Sequence, residues 1–343
     1  MKKIAIEEHF VVQEILDFMR ASKTFPKMVT VKDEKGQTKE EMWYTPEIKA
    51  TFSAEIGGKL LDLGEGRLKE MDDAGIDMQV LCLSSGVDAF TPADGTMLAR
   101  KANDSCAAAI KKHPDRFAAF ATIAPQDPLN AAKELERAVK ELGFKGTKLN
   151  SNVQGKYLDE PEFGPVLAMA EKLGVPIYLH PKSPSAAMIK PFMAYKPLTG
   201  SMWGYAAEAG LHSMRLILGG VFDKYPGLKI ILGHLGEALP FWMWRLDNRW
   251  SKEKLNPDPS LPKLAKNPTD YIKQNFMVTT SGMFWEPVLK YVCQVLGVER
   301  VLFAVDHPYE QNKVAADFIE KVDLPAADKE KICHLNVEKL LKL

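Results

Sequence analysis

The chain has 343 residues, 46% apolar and 26% charged, and its 45 basic side chains balance 45 acidic ones. That length allows one large core or two smaller ones, and a net charge of zero argues against nucleic acid or an anionic membrane surface as partner. The four cysteines, Cys82, Cys106, Cys293 and Cys333, are far apart with no Cys-x-x-Cys spacing, so they read as reduced thiols, not as a disulfide frame or zinc clip. Lys2-Lys3 looks like the start of a signal peptide, but Glu7-Glu8 ends the apolar run after three residues, and no stretch approaches spanning length. A cytoplasmic protein with no membrane segment is expected.

Ile4-Ala5-Ile6 reads as a buried strand that closes in Glu7-Glu8-His9-Phe10. Side chains alternate on a strand, so Glu7 and His9 face one way and Glu8 the other. Carboxylate and imidazole at that spacing can grip one divalent ion; a solvated strand end is the bland alternative. Residues 11 to 64 are the least regular part. They begin with a short helix over Val11 to Arg20 and a lysine-rich connection through Lys39, and Trp43, Tyr44 and Phe52 are available to cover a pocket.

From residue 65 helices and strands alternate. Helices are predicted over Glu65 to Ala74, Gly95 to His113, Asp127 to Leu142, Glu160 to Leu173, Tyr205 to Phe222, from Glu237 onward and over Glu286 to Leu296, with more helix up to Leu343. Strands are predicted over Met78 to Leu83, Phe117 to Ile123, Phe144 to Asn150, Val175 to His180, Leu228 to His234, Phe276 to Ser281 and Arg300 to Asp306. A segment rich in Pro, Met and Ser, 181 to 204, interrupts the rhythm. The pattern predicts α/β architecture: one (β/α)₈ TIM barrel over 1–343, with insertions after the first and fifth strands (11–64 and 181–204) covering the active-site face. An open doubly wound sheet is the alternative, but a Gly-rich phosphate loop would then be expected where Glu7-Glu8-His9 stands.

In such a barrel the strand C-termini carry the site. Those ends hold Glu7 and His9, His180, His234 and Asp306, each the polar stop of an apolar run, and they include three of the seven histidines. Four such groups around one axis could surround an ion. Aromatic residues near the rim (Phe10, Trp203, Trp244, Phe284 and Trp285) suggest a flat aromatic substrate, although each ring alone could be core.

Several segments carry a family resemblance: Ile6-Glu7-Glu8-His9-Phe10, Pro114-Asp115-Arg116-Phe117, Tyr178-Leu179-His180-Pro181, Ile231-Leu232-Gly233-His234-Leu235-Gly236-Glu237, Met243-Trp244-Arg245-Leu246-Asp247 and Val305-Asp306-His307-Pro308-Tyr309. The chain resembles the amidohydrolase superfamily, in the branch of aminocarboxymuconate-semialdehyde decarboxylase, and within it the γ-resorcylate, 2,3-dihydroxybenzoate and 5-carboxyvanillate decarboxylases. The resemblance implies a single divalent metal held by Glu7, His9, His180 and Asp306, with His234 and Glu237 as a pair beside it. It also implies that Arg245 contacts substrate, that Tyr309 lines the pocket, and that the protein is a homodimer or homotetramer acting on a small aromatic carboxylate. From the rim aromatics, Phe10 is the further candidate substrate-binding residue.

Two departures stand out. The 5-carboxyvanillate enzymes carry a small residue at His9 and an arginine at or near Phe52, so the chain leans toward the resorcylate type. His307 stands where relatives carry an aromatic residue, which would make the pocket wall more polar there. Lys148 lies on the fourth strand, as does the carbamylated lysine of binuclear amidohydrolases, but a pocket or salt-bridge lysine is the preferred reading.

The chemistry expected is non-oxidative decarboxylation. Direct loss of carbon dioxide would leave an unstable aryl anion. An ortho hydroxyl lets the ring carbon be protonated first, with Asp306 as the candidate donor, His234 orienting or relaying, and Glu237 fixing the tautomer of His234. Mixed nitrogen and oxygen ligation suits manganese, then zinc, with magnesium also admitted. The alternative on the same scaffold is metal-hydroxide hydrolysis of a lactone, amide or ester.

Overall fold

The computed structural model describes residues 1–32, 36, 38–255 and 258–343. Eight parallel strands form its centre: β1 (Ile4–Phe10), β2 (Met78–Leu83), β3 (Phe117–Ala119), β4 (Thr147–Asn150), β5 (Ile177–His180), β6 (Ile230–Leu232), β7 (Phe276–Thr279) and β8 (Val301–Leu302). β1 to β3 pair as one run and β4 to β8 as another. Parallel bridges close both seams, Ala121 with Thr147 and Glu8 with His307, so the eight strands make the barrel the sequence predicts.

Alternation along the strands fills two cores. Ile4, Ile6, Val80, Phe120, Tyr178 and Ile231 pack inside the barrel, and Val337 and Leu341 of the last helix, Asn336–Leu341, join them to plug its lower end. The opposite strand faces, among them Ala5, Leu81, Leu149 and Leu179, pack against the surrounding helices. Each buried Val, Leu or Ile among them contributes about 1.5–3 kcal/mol.

The predicted helices Glu65–Ala74 and Glu286–Leu296 form as expected. The one predicted over Tyr205 to Phe222 is instead two, Gly204–Leu218 and Val221–Lys224, broken where Gly220 takes φ 72°. The first insertion is also more regular than expected. After the helix Gln13–Ala21 come three antiparallel strands, Lys27–Lys32, Thr38–Trp43 and Lys49–Phe52. Residues 33–35 and 37 of the expected lysine-rich connection lie outside the described residues. No helix among the described residues is long and apolar enough to cross a membrane.

Candidate metal centre

The site begins with an irregularity in β1. Its pairing with β2 shifts between Ala5 and Glu8, and such a bulge re-aims side chains. Ile6 and Glu7 therefore both face the barrel axis: Ile6 packs in the interior core, and Glu7 Oε2 accepts a hydrogen bond from the interior Tyr178 hydroxyl. Glu8 turns outward and accepts from Gln79 Nε2 at 3.1 Å and Val305 N at 3.0 Å. His9 returns inward, with Nε2 2.9 Å from Asp306 Oδ1.

His180 closes β5 with Nε2 3.4 Å from Glu7 Oε1. One ligand atom from each of Glu7, His9, His180 and Asp306 lies within 4.8 Å of the others. Glu7 Oε1 is buried and has no hydrogen-bond partner. A dry, orphaned carboxylate oxygen is unfavourable unless a cation satisfies it, and this two-carboxylate, two-imidazole donor set fits one divalent ion. Burial, reinforced by Lys148 and His9, drives His180 well below the usual histidine range, toward the neutral form that ligates metals.

His234 and Glu237 flank this cluster on a left-handed turn. Residues 234 to 238 all have positive φ, from 51° to 89°, and Asp306 has φ 79°. Non-glycine residues are strained there, and such strain gathers at functional sites. The turn sets His234 Nδ1 2.7 Å from Glu237 Oε1 and His234 Nε2 3.7 Å from Asp306 Oδ2. Burial opposes a charge on His234, but Glu237 and Asp306 outweigh it and push its pKa well up. Burial would likewise raise Asp306, yet the facing His234 and the hydrogen-bonded His9 hold it below the usual carboxylate range. The proton of the pair therefore rests on His234.

Residues 60–343 match the family model described as amidohydrolase. The chain belongs to the amidohydrolase family. It is 38% identical to the γ-resorcylate decarboxylase of Polaromonas sp., over 99% of this chain and 98% of that one. The crystal structure of 5-carboxyvanillate decarboxylase from Sphingomonas paucimobilis superimposes with a TM-score of 0.89 at 35% identity, covering 100% of this chain and 99% of that one. A dihydroxybenzoic acid decarboxylase from Polaromonas sp., solved with bound manganese and the inhibitor 2-nitroresorcinol, gives a TM-score of 0.85 at 35% identity, covering 100% and 97%.

Within this amidohydrolase site several expectations need correction. Phe10 is 1% exposed and packs in the outer core with Val11 and Ile15, because the alternation that turns His9 inward sends the next residue out. It does not line the pocket. Trp203, Trp244 and Trp285 are 58%, 77% and 60% exposed, and Phe284 packs against Phe318, so these rings do not form an aromatic wall. His307 also points away from the mouth, its Nδ1 3.7 Å from Glu70 Oε2. Burial, Arg67 and Lys59 push its pKa down to about 2. Lys148 Nζ donates to Leu83 O at 3.1 Å, Ser84 O at 2.7 Å and Asn150 Oδ1 at 3.0 Å. Those three bonds use all the donors of an ammonium, which makes it a clamp between β2 and β4 rather than a bridge between metals.

Tyr309 stands beside the cluster, its ring 5.4 Å from His9 and its hydroxyl 2.5 Å from Ser84 Oγ. Arg245 is exposed on the helix Leu239–Glu253, and among the described residues no hydrogen bond or ion pair ties it to the cluster. Sequence reasoning missed Tyr178, Thr279 and Ser281, which hold Glu7 and one another: Tyr178 Oη is 3.1 Å from Thr279 Oγ1, which is 2.7 Å from Ser281 Oγ. Tyr178 lies within an apolar run and looks like core. The Thr279-Thr280-Ser281 stretch at the end of β7 was the available signal.

Proposed function

We propose that this chain is a metal-dependent, non-oxidative decarboxylase of a hydroxylated benzoate, with 2,6-dihydroxybenzoate as the first substrate to try. The observation that carries this reading is the buried Glu7, His9, His180 and Asp306 cluster, with the His234–Glu237 pair against Asp306. These four residues would hold one divalent ion, manganese before zinc or magnesium. The ion would chelate carboxylate and ortho oxygen and stabilise the charge that develops on oxygen.

The chain's own groups handle the proton. His234 stores it, and Glu237 keeps the ring oriented with Nε2 toward Asp306. Asp306 receives it at Oδ2 and presents it to the ring carbon that bears the carboxylate; carbon dioxide then leaves and aromaticity returns. Asp306 reaches both His9, through Oδ1, and His234, through Oδ2, so one carboxylate can serve the ligand cluster and the proton path together.

Tyr44 from the first insertion lies within electrostatic reach of Tyr309 and of Tyr205, just after the second. This supports the two insertions as the cover of the mouth. Phe52, where 5-carboxyvanillate enzymes carry an arginine, is 8% exposed. A Cβ added at Gly57 would stand 2.5 Å from its ring, so an apolar side chain, not a cation, packs at this position. Arg245 is the proposed partner of the substrate anion. The exposed Phe241, Trp242 and Trp244 on its helix are surface that a second copy would cover in a homodimer or homotetramer.

The test is a decarboxylation assay with Mn²⁺ or Zn²⁺ on 2,6- and 2,3-dihydroxybenzoate, salicylate and 5-carboxyvanillate. It would follow carbon dioxide release and ultraviolet absorbance. Chelator-sensitive turnover, greatest with 2,6-dihydroxybenzoate, is expected. Inactivity on the whole panel, in protein holding one metal per chain, would overturn the reading.

A further inference from the structure

We propose that Cys82 is a positioning residue for the metal ligand His9, a hydrogen-bond partner able to serve either tautomer of its imidazole. The inference rests on the metal-dependent reading of the site given above. His9 and Cys82 are register partners on β1 and β2, and they are 0% and 1% exposed. Cys82 Sγ lies 3.4 Å from His9 Nδ1, while His9 Nε2 lies 2.9 Å from Asp306 Oδ1. Nδ1 is thus sealed against β2, and Nε2 is the nitrogen that faces the other ligands.

A ligating imidazole almost always sends its second N–H to a carboxylate, a backbone carbonyl or water. Here a thiol occupies that place, and a thiol both donates and accepts, though weakly. When Nε2 carries the proton and donates to Asp306, Nδ1 is bare and accepts from the thiol S–H. When Nε2 gives its lone pair to a cation, the proton sits on Nδ1 and points at the sulfur. Only the S–H rotor has to turn between the two states, so the ring keeps its aim. A methyl group in place of the thiol would leave a buried N–H without an acceptor in the loaded state. A serine hydroxyl would retain both roles.

The experiment compares metal-free wild type, Cys82→Ala and Cys82→Ser. Chelator-competition titrations with Zn²⁺ and Mn²⁺ are paired with thermal unfolding of each metal-free protein, and the infrared S–H stretching band absent from Cys82→Ser is followed in the wild type as Zn²⁺ is added. Cys82→Ala should bind metal about 10- to 100-fold more weakly, with Cys82→Ser restoring most of the affinity. The assigned S–H band should move on Zn²⁺ loading, as the thiol changes from donor to acceptor. Undiminished affinity in Cys82→Ala, or an S–H band indifferent to Zn²⁺, overturns the proposal. If Cys82→Ala does not fold, the infrared shift decides alone. A wild-type protein that takes up neither ion overturns the metal-dependent reading itself, and this proposal with it.

Discussion

His234 and Glu237 meet through a 2.7 Å contact between Nδ1 and Oε1, although both residues sit in left-handed backbone conformations, at φ 52° and 51°. The strained turn aims the imidazole at Asp306 and supplies the carboxylate that keeps it protonated. Glu237→Gln preserves the shape but removes the charge and the obligate acceptor. Turnover should fall by about 100- to 10,000-fold, the usual worth of a positioned acid or base, with KM nearly unchanged. Steady-state kinetics on 2,6-dihydroxybenzoate decide the matter, and a kcat within a few-fold of wild type would remove the pair from the proton path.

Metal uptake and turnover should disappear together when a ligand is lost. His180 offers Nε2 to the orphaned Glu7 Oε1 across 3.4 Å, so His180→Ala opens the cluster on that side. Elemental analysis should find far less than one metal per chain, and no decarboxylation. Asp306→Asn is expected to behave differently, because the amide keeps an oxygen toward the ion but loses the carboxyl proposed to present the proton, so turnover should fall far more than substrate binding. Chelator treatment of wild type should abolish activity, and added Mn²⁺ should restore it. Activity that survives complete metal removal would sink the ligand assignment.

Lys148 provides a test of metal count. Its three hydrogen bonds to Leu83 O, Ser84 O and Asn150 Oδ1 require an ammonium, whereas a carbamate would have to accept there. Stoichiometry should therefore stay at one metal per chain, and activity should not respond to added bicarbonate during reconstitution. Lys148→Met should lower stability by about 1–3 kcal/mol in urea unfolding, because buried carbonyls lose their donor. Two metals per chain in bicarbonate would show that the clamp gives way.

What the sequence made legible, and what it hid, follows from periodicity. Glu7, His9, His180 and Asp306 end apolar runs, so the strand pattern alone brought them to one rim. Phe10 was misplaced although the same two-residue period sends it outward. Tyr178 was hidden because an inward aromatic in a hydrophobic strand looks like core until Glu7 is seen against it. The antiparallel strands of the first insertion were hidden for a different reason. Thr38–Trp43 reads Thr-Lys-Glu-Glu-Met-Trp, with little apolar alternation, and only Met42 in it is buried. Partners distant in sequence support that strand, among them Arg20, whose guanidinium meets Glu40 at 2.8 Å.

His334 should make stability depend on pH far from the metal centre. It lies in the C-terminal helical region, with Nε2 2.7 Å from Glu330 Oε2 and Nδ1 3.0 Å from Glu338 Oε2. Burial opposes its protonation, but the two carboxylates prevail and raise its pKa above the ordinary value. A histidine raised on folding stabilises fully below its unfolded pKa, about 6.5, and that contribution is lost as pH climbs through the folded value. His334→Gln should therefore lower the urea midpoint of metal-free protein at pH about 5.5 and do so much less at pH about 9, beyond the unperturbed range of histidine. Because Lys2 and His334 hold Glu338 below the usual carboxylate range, and both pH values lie above that range, the closing gap between wild type and variant follows the imidazolium. A gap of equal size at the two pH values would mean that His334 acts through packing, and that the two carboxylates do not hold its charge in the folded protein.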